Sequence, residues 1–151
     1  MTFHVMASLR LRAHHGLVST RALDVLFASM LALILGHELD AVAQSEWRLL
    51  PGLSMLSDAA AGPLFVALHV PLVVALVVGL FVTDEPRRQR VRLGFAAFMT
   101  IHVVLHATLE VPGVSSFEGT LSRTYIRGAG LLGAVALVTM IRQRRRLTAG
   151  S

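Results

Sequence analysis

Four apolar runs, separated by arginine clusters and polar turns, leave this chain few ways to fold. Read by hydropathy, they cover about residues 22–43, 62–83, 93–111 and 126–141, and a helix needs about 20 apolar residues to cross the hydrocarbon of a bilayer. Hydrophobic residues make up 54% of the 151 and charged residues 15%, with a mean hydropathy of +0.67. That is too apolar for an ordinary soluble domain of this size. The sequence therefore predicts a single all-α domain over residues 1–151, a four-helix transmembrane bundle.

The charges give its orientation. The net charge of +5 comes from arginine alone, since the chain has no lysine. Arg10, Arg12 and Arg21 precede the first run, Arg87, Arg88, Arg90 and Arg92 follow the second, and Arg142, Arg144, Arg145 and Arg146 follow the fourth. The positive-inside rule places both termini and the 84–92 turn in the cytoplasm, as expected for the inner membrane of a bacterium. Arginines grouped beside apolar runs argue against a nucleic-acid partner. Asp24 reads as a charge at a helix start, and Trp47 as an interfacial anchor with Glu46 and Arg48 at the far surface. Pro71 predicts a kink close to His69. The small residues Gly128, Gly130, Gly133, Ala134 and Ala136 permit close helix contact and could pair two copies through helix four. The basic leader and Ala41-Val42-Ala43 also resemble a secretory signal cleaved after Ala43, but His37, Glu38 and Asp40 make an unusually charged approach to such a site.

Only twelve uncharged residues, Val25 to Gly36, precede His37. If the segment spans, His37, Glu38 and Asp40 lie in the membrane or at its edge, where ionisable groups are rarely placed without partners. His69, His102, His106 and Glu110 occupy the later runs. In the predicted topology the four histidines sit about 8 to 14 Å from the outer helix ends, at about 1.5 Å per residue, and so share one layer. His102, His106 and Glu110 form an i, i+4, i+8 stripe, and His37 and Asp40 share a face at i, i+3. The chain has no cysteine, so a metal would be held by nitrogen and oxygen. Imidazole with carboxylate suits zinc, iron or manganese.

On this reading His37, Asp40, His69, His102 and His106 are candidate metal ligands. Glu38 or Glu110 would act as general base or as a partner to the ligands. Arg123 and Arg127, one turn apart, could bind an anionic lipid headgroup or act as counter-ions, or simply extend to the interface. The bland alternative is a polar network between helices, strongest for His69 alone. A zincin motif is absent because Ala41 follows His37-Glu38 where a histidine is needed, and there is no Gly-x-Ser-x-Gly elbow or glycine-rich phosphate loop.

At His37-Glu38-Leu39-Asp40-Ala41 followed by Glu46-Trp47-Arg48, the chain resembles small bacterial membrane proteins grouped by a His-x-x-Glu-Glu signature. The likeness covers most of the chain, with His69, His102 and His106 matching later histidines. Asp40-Ala41 stands where the Glu-Glu pair would be, so one carboxylate is missing. The resemblance implies a four-helix membrane architecture and no established activity.

The expected function is a metal-dependent membrane enzyme, a hydrolase, oxygenase or isomerase, acting on a lipid-like or small apolar molecule. The alternatives are a b-type haem protein with two of His69, His102 and His106 as axial ligands, and a proton or ion translocator.

Overall fold

The computed structural model describes residues 19–109 and 120–149. Four α-helices dominate, α1 (Thr20–Ala43), α2 (Asp58–Val77), α3 (Glu85–Leu109) and α4 (Thr120–Ala149), and no strand occurs among the described residues. Two 3-10 turns, Glu46–Leu49 and Leu53–Met55, join α1 to α2, and a π-helical segment, Val78–Val82, prolongs α2 toward α3. Each of the four, α2 with its π segment, is long and apolar enough to cross a membrane. The 24 residues of α1 reach about 36 Å at about 1.5 Å per residue, more than a hydrocarbon core of about 30 Å. Four such helices suggest an integral membrane protein.

The helix starts show what hydropathy misses. The Ser19 hydroxyl accepts from the Ala22 amide at 3.2 Å and caps α1. α2 starts at Asp58, four residues before the expected boundary, with an acid in its first turn to meet the positive end of the helix dipole. α3 starts at Glu85, so residues expected to form a charged turn through Arg92 are helical. The Arg88 amide donates to the Asp84 carbonyl at 2.9 Å, and the Glu85 carboxylate accepts from Arg88 and, at 2.6 Å, from Gln89. Pro86 falls in the first turn, where a helix does not need its missing N–H. α4 starts at Thr120 instead of about 126 and adds Ser122 to the helix.

α1, α3 and α4 form the tight part of the bundle. Phe27, Met30, Leu80, Ala96 and Ala136 are fully shielded within one apolar cluster. The small residues of α4 make this approach possible. A Cβ at Gly133 would lie 2.9 Å from the Ala96 carbonyl oxygen, one at Gly130 would lie 2.6 Å from Val103 Cγ1, and one at Gly128 would meet Leu33 at 3.2 Å. The glycines that suggested a homodimer face therefore serve α3 and α1 of the same chain.

α2 is held differently. It packs mainly at its ends, against the 3-10 turns and, through the π segment, against α3. It stays one helix through Pro63 and Pro71, and Leu64, Val66, Val70 and Val74 are exposed. In water such a surface would be a liability; in a bilayer it faces its own kind.

At the π-segment end lies a polar clasp that the sequence reading did not foresee. The π register bonds the Thr83 amide to the Val78 carbonyl at 3.0 Å. The Leu80 carbonyl accepts from Arg92 Nε at 3.1 Å and Nη2 at 2.9 Å. The same guanidinium donates to the Asp24 carboxylate and sits 5.2 Å from the centre of the Phe27 ring. Arg92 is only 1% exposed, so Asp24 is its counter-ion across the bundle and more than a helix-end charge.

The glycine contacts yield a paired expectation. Gly133→Val forces a side chain against a backbone carbonyl that cannot retreat and should cost about 1–3 kcal/mol. Gly94→Ala enters open space and should change stability by less than about 1 kcal/mol. Thermal unfolding in detergent checks both, and equal losses at the two positions would contradict the packing described.

Candidate metal centre

His37 lies near the C-terminal end of α1, and His102 and His106 lie one turn apart near the C-terminal end of α3. Antiparallel packing brings those ends together through α4. Gly36 has a part in this. It lacks a Cβ where one would lie 3.2 Å from the Tyr125 ring, so α4 can approach α1 beside His37.

The three imidazoles offer ligand atoms that all lie within 4.8 Å of one another, the one such group among the described residues. Their ring centres are 5.7 Å apart for His37 and His102, 5.0 Å for His37 and His106, and 4.5 Å for His102 and His106, all edge to face. His37 is 2% exposed. Its Nδ1 lies 2.9 Å from the hydroxyl of Ser122, itself 1% exposed. In the tautomer that donates from Nδ1 to the Ser122 oxygen, Nε2 keeps its lone pair for a metal. A partner on the far nitrogen fixes ring orientation in this way at metal sites. His102 Nε2 is buried and has no hydrogen-bond partner.

His69 and Glu38 form a separate pair. His69 Nδ1 lies 2.7 Å from the Phe65 carbonyl oxygen, which can only accept, so Nδ1 carries hydrogen. His69 Nε2 lies 2.9 Å from Glu38 Oε2. One proton is therefore held between the two side chains, as imidazolium with carboxylate or as imidazole with carboxylic acid. Both nitrogens of His69 are engaged, which separates it from the three-histidine group despite its matching depth. Asp40 also lies outside that group. Its side chain is short, and its Oδ2 is buried without a hydrogen bond.

Glu46 was expected at the surface, and the structure places it inside, 7% exposed. Ser45 adopts a left-handed conformation, φ 59° and ψ 39°, and turns the chain back after α1. Glu46 Oε2 then lies 3.9 Å from His37 Nε2. Burial first, and then the negative charges of Glu38 and Asp40, push the Glu46 carboxyl up to about 7. Two contacts hold the turn against α2. Arg48 pairs with Asp58, and the Trp47 ring covers Gly62, where a Cβ would lie 3.2 Å from it. Trp47 thus packs between elements, in addition to any interfacial role. The left-handed Ser45 is what reverses the chain, and a serine in the sequence does not advertise that conformation.

A cavity of about 570 Å³ opens on this cluster, lined by His37, Glu38, Glu46, His69, His102 and His106 with leucine and phenylalanine walls. A second, of about 400 Å³, lies between α1, α2 and α3 and is apolar except for Glu38 and His69. The two share Glu38, His69 and Phe98. Arg123 and Arg127 lie in the first turns of α4, Arg127 exposed, and line neither cavity. Glu110 lies outside the described residues.

Among families of known proteins, one described as a family of unknown function, DUF6713, matches residues 23–143. This is consistent with the uncharacterised membrane family implied by the acidic histidine motif. No curated protein and no solved structure matches the chain.

The serine contact is open to direct test. Ser122→Ala strands a buried imidazole nitrogen and should cost about 1–3 kcal/mol, read by thermal unfolding in detergent. It should also move the 15N shifts of His37; unchanged shifts and stability would show that the hydroxyl does not orient the ring.

Proposed function

The chain belongs to the DUF6713 family, and we propose that it is a metal-dependent enzyme of the bacterial inner membrane acting on a lipid-like or small apolar substrate. Its metal would be zinc, iron or manganese, held by His37, His102 and His106. The observation that carries this reading is the convergence of three imidazoles, from two helices, on one point of a largely apolar cavity. Three protein nitrogens leave a coordination position for water or substrate, the arrangement of catalytic sites as distinct from closed structural ones. An apolar pocket with a few converging polar groups is also the usual form of a small-molecule site.

A bound divalent metal would supply Lewis acidity and lower the pKa of a coordinated water. The chain's own residues do the rest. Ser122 orients His37. Glu38 and His69 hold a proton at the boundary of the two cavities, where a general acid or base would act. The leucine and phenylalanine walls exclude water and receive apolar groups. Ser122 lines neither cavity, which favours orientation over nucleophilic attack by its hydroxyl.

Both termini would lie in the cytoplasm, because Arg87, Arg90 and the Arg142 to Arg146 cluster occupy the helix ends opposite the histidines. The site would then face the extracytoplasmic leaflet. Arg123 and Arg127, at the same end as the histidines, would attract the anionic head of a membrane lipid.

The geometry disfavours haem. Axial ligands must approach a macrocycle from opposite faces, yet His102 and His106 touch edge to face at 4.5 Å and leave no slot between them. His69 already commits both nitrogens.

Elemental analysis of protein purified in detergent should find stoichiometric metal, strongly reduced in the double variant His102→Ala, His106→Ala. Metal-free wild type after reconstitution with zinc, iron and manganese, or undiminished content in the variant, would reject the proposal. The visible spectrum after haem supplementation should show no Soret band; a stoichiometric one would favour the haem reading.

A further inference from the structure

We infer that Glu46 is a fourth protein ligand of the metal held by His37, His102 and His106, making a site of three imidazoles and one carboxylate in which a fifth position stays open to water or substrate. The inference rests on the metal reading above and extends it to a residue outside the membrane helices.

Three observations carry it. The first is distance. Glu46 Oε2 lies 3.9 Å from His37 Nε2, the nitrogen left with a free lone pair when Nδ1 donates to Ser122. Two neighbouring donors bound to one ion at about 2.0–2.2 Å sit about 3.0–3.4 Å apart, according to the angle between them. A side-chain adjustment of about half to one ångström closes that gap.

The second is an electrostatic deficit. Glu46 is 7% exposed, and its Oε1 is buried with no hydrogen-bond partner. The charges acting most strongly on it, Glu38 and Asp40, are both acidic. Its ion contact is a histidine that the cluster itself engages. A buried carboxylate needs a cation or several donors to offset its lost hydration, and a metal at the three histidines would be that cation.

The third is that the placement is enforced. The left-handed Ser45 turns the chain inward, the Arg48–Asp58 pair fixes the turn to α2, and the Trp47 ring closes over Gly62. Were Glu46 merely a loop acid, outward rotation into solvent would relieve it at little cost. Instead the turn presents it to the cavity.

A mixed set of nitrogen with one hard oxygen suits zinc, iron or manganese better than a soft ion such as Cu(I).

Titration of the metal-free full chain in detergent with Zn²⁺, and separately with Co²⁺, tests this. Glu46→Gln keeps the shape and removes the charge. It should weaken Zn²⁺ binding more than about 100-fold, beyond the loss typical of groups that only support a ligand, and should shift the visible d–d bands of the Co²⁺ form. Without metal, the variant should melt no lower than wild type, because an uncompensated buried charge has been removed. Glu46→Asp should recover part of the affinity. Wild type that binds neither ion would sink the metal reading itself. Wild type that binds, alongside Glu46→Gln with affinity within about threefold and an unchanged Co²⁺ spectrum, would overturn the role of Glu46 alone. A metal-free Glu46→Gln protein that melts lower while keeping its metal affinity would make Glu46 a structural partner of His37, and would also overturn it.

Discussion

A bilayer interior offers imidazoles and carboxyls no water, and that single constraint shapes the half of this molecule that holds the histidines. Each ionisable group in a membrane helix must find a partner within the protein or be drawn toward the interface. Here the partners are one another. Ser122 meets His37, Glu38 meets His69, and His37, His102 and His106 crowd together. The cluster concentrates polarity in one cavity and leaves the lipid-facing surface apolar.

Two kinds of helix packing serve that arrangement. α1, α3 and α4 are drawn close by glycines with no room for a Cβ, which fixes the relative positions of His37, Ser122, His102 and His106. α2 is fastened at its ends and leaves a crevice along its length. Its one polar contribution to the cavities, His69, is held by Glu38 from across that crevice. Rigid ligands beside a loosely covered apolar space are what a site that binds a metal and admits an apolar molecule would need. At the other end of the bundle, Arg92 joins α3 to the π segment through the Leu80 carbonyl and to α1 through Asp24, so the buried guanidinium has a counter-ion.

Much of this was legible in the sequence. The four helices followed from apolar run lengths, and the convergence of His37, His102 and His106 followed from their common depth and the i, i+4 stripe on helix three. Depth and helical periodicity depend only on position along an element, which a sequence displays. Features set by what happens between elements were not legible. Glu46 enters the cavity because Ser45 takes a left-handed conformation, which nothing in Gln44-Ser45-Glu46 announces. Ser122 reaches His37 because α4 starts at Thr120, inside a stretch whose polarity reads as loop. Asp24 and Arg92 looked like two surface charges because their pairing spans the bundle. His69 matched the depth criterion and Asp40 the i, i+3 spacing from His37, yet both fall outside the three-histidine group, His69 because both its ring nitrogens are already engaged.

The central claim is that imidazoles from α1 and α3 share one metal. X-ray absorption at the zinc edge of the Zn²⁺-loaded protein measures this directly. The account predicts multiple scattering from three imidazoles with Zn–N distances of about 2.0–2.1 Å. A first shell of oxygen alone, or one with a single imidazole, would contradict it.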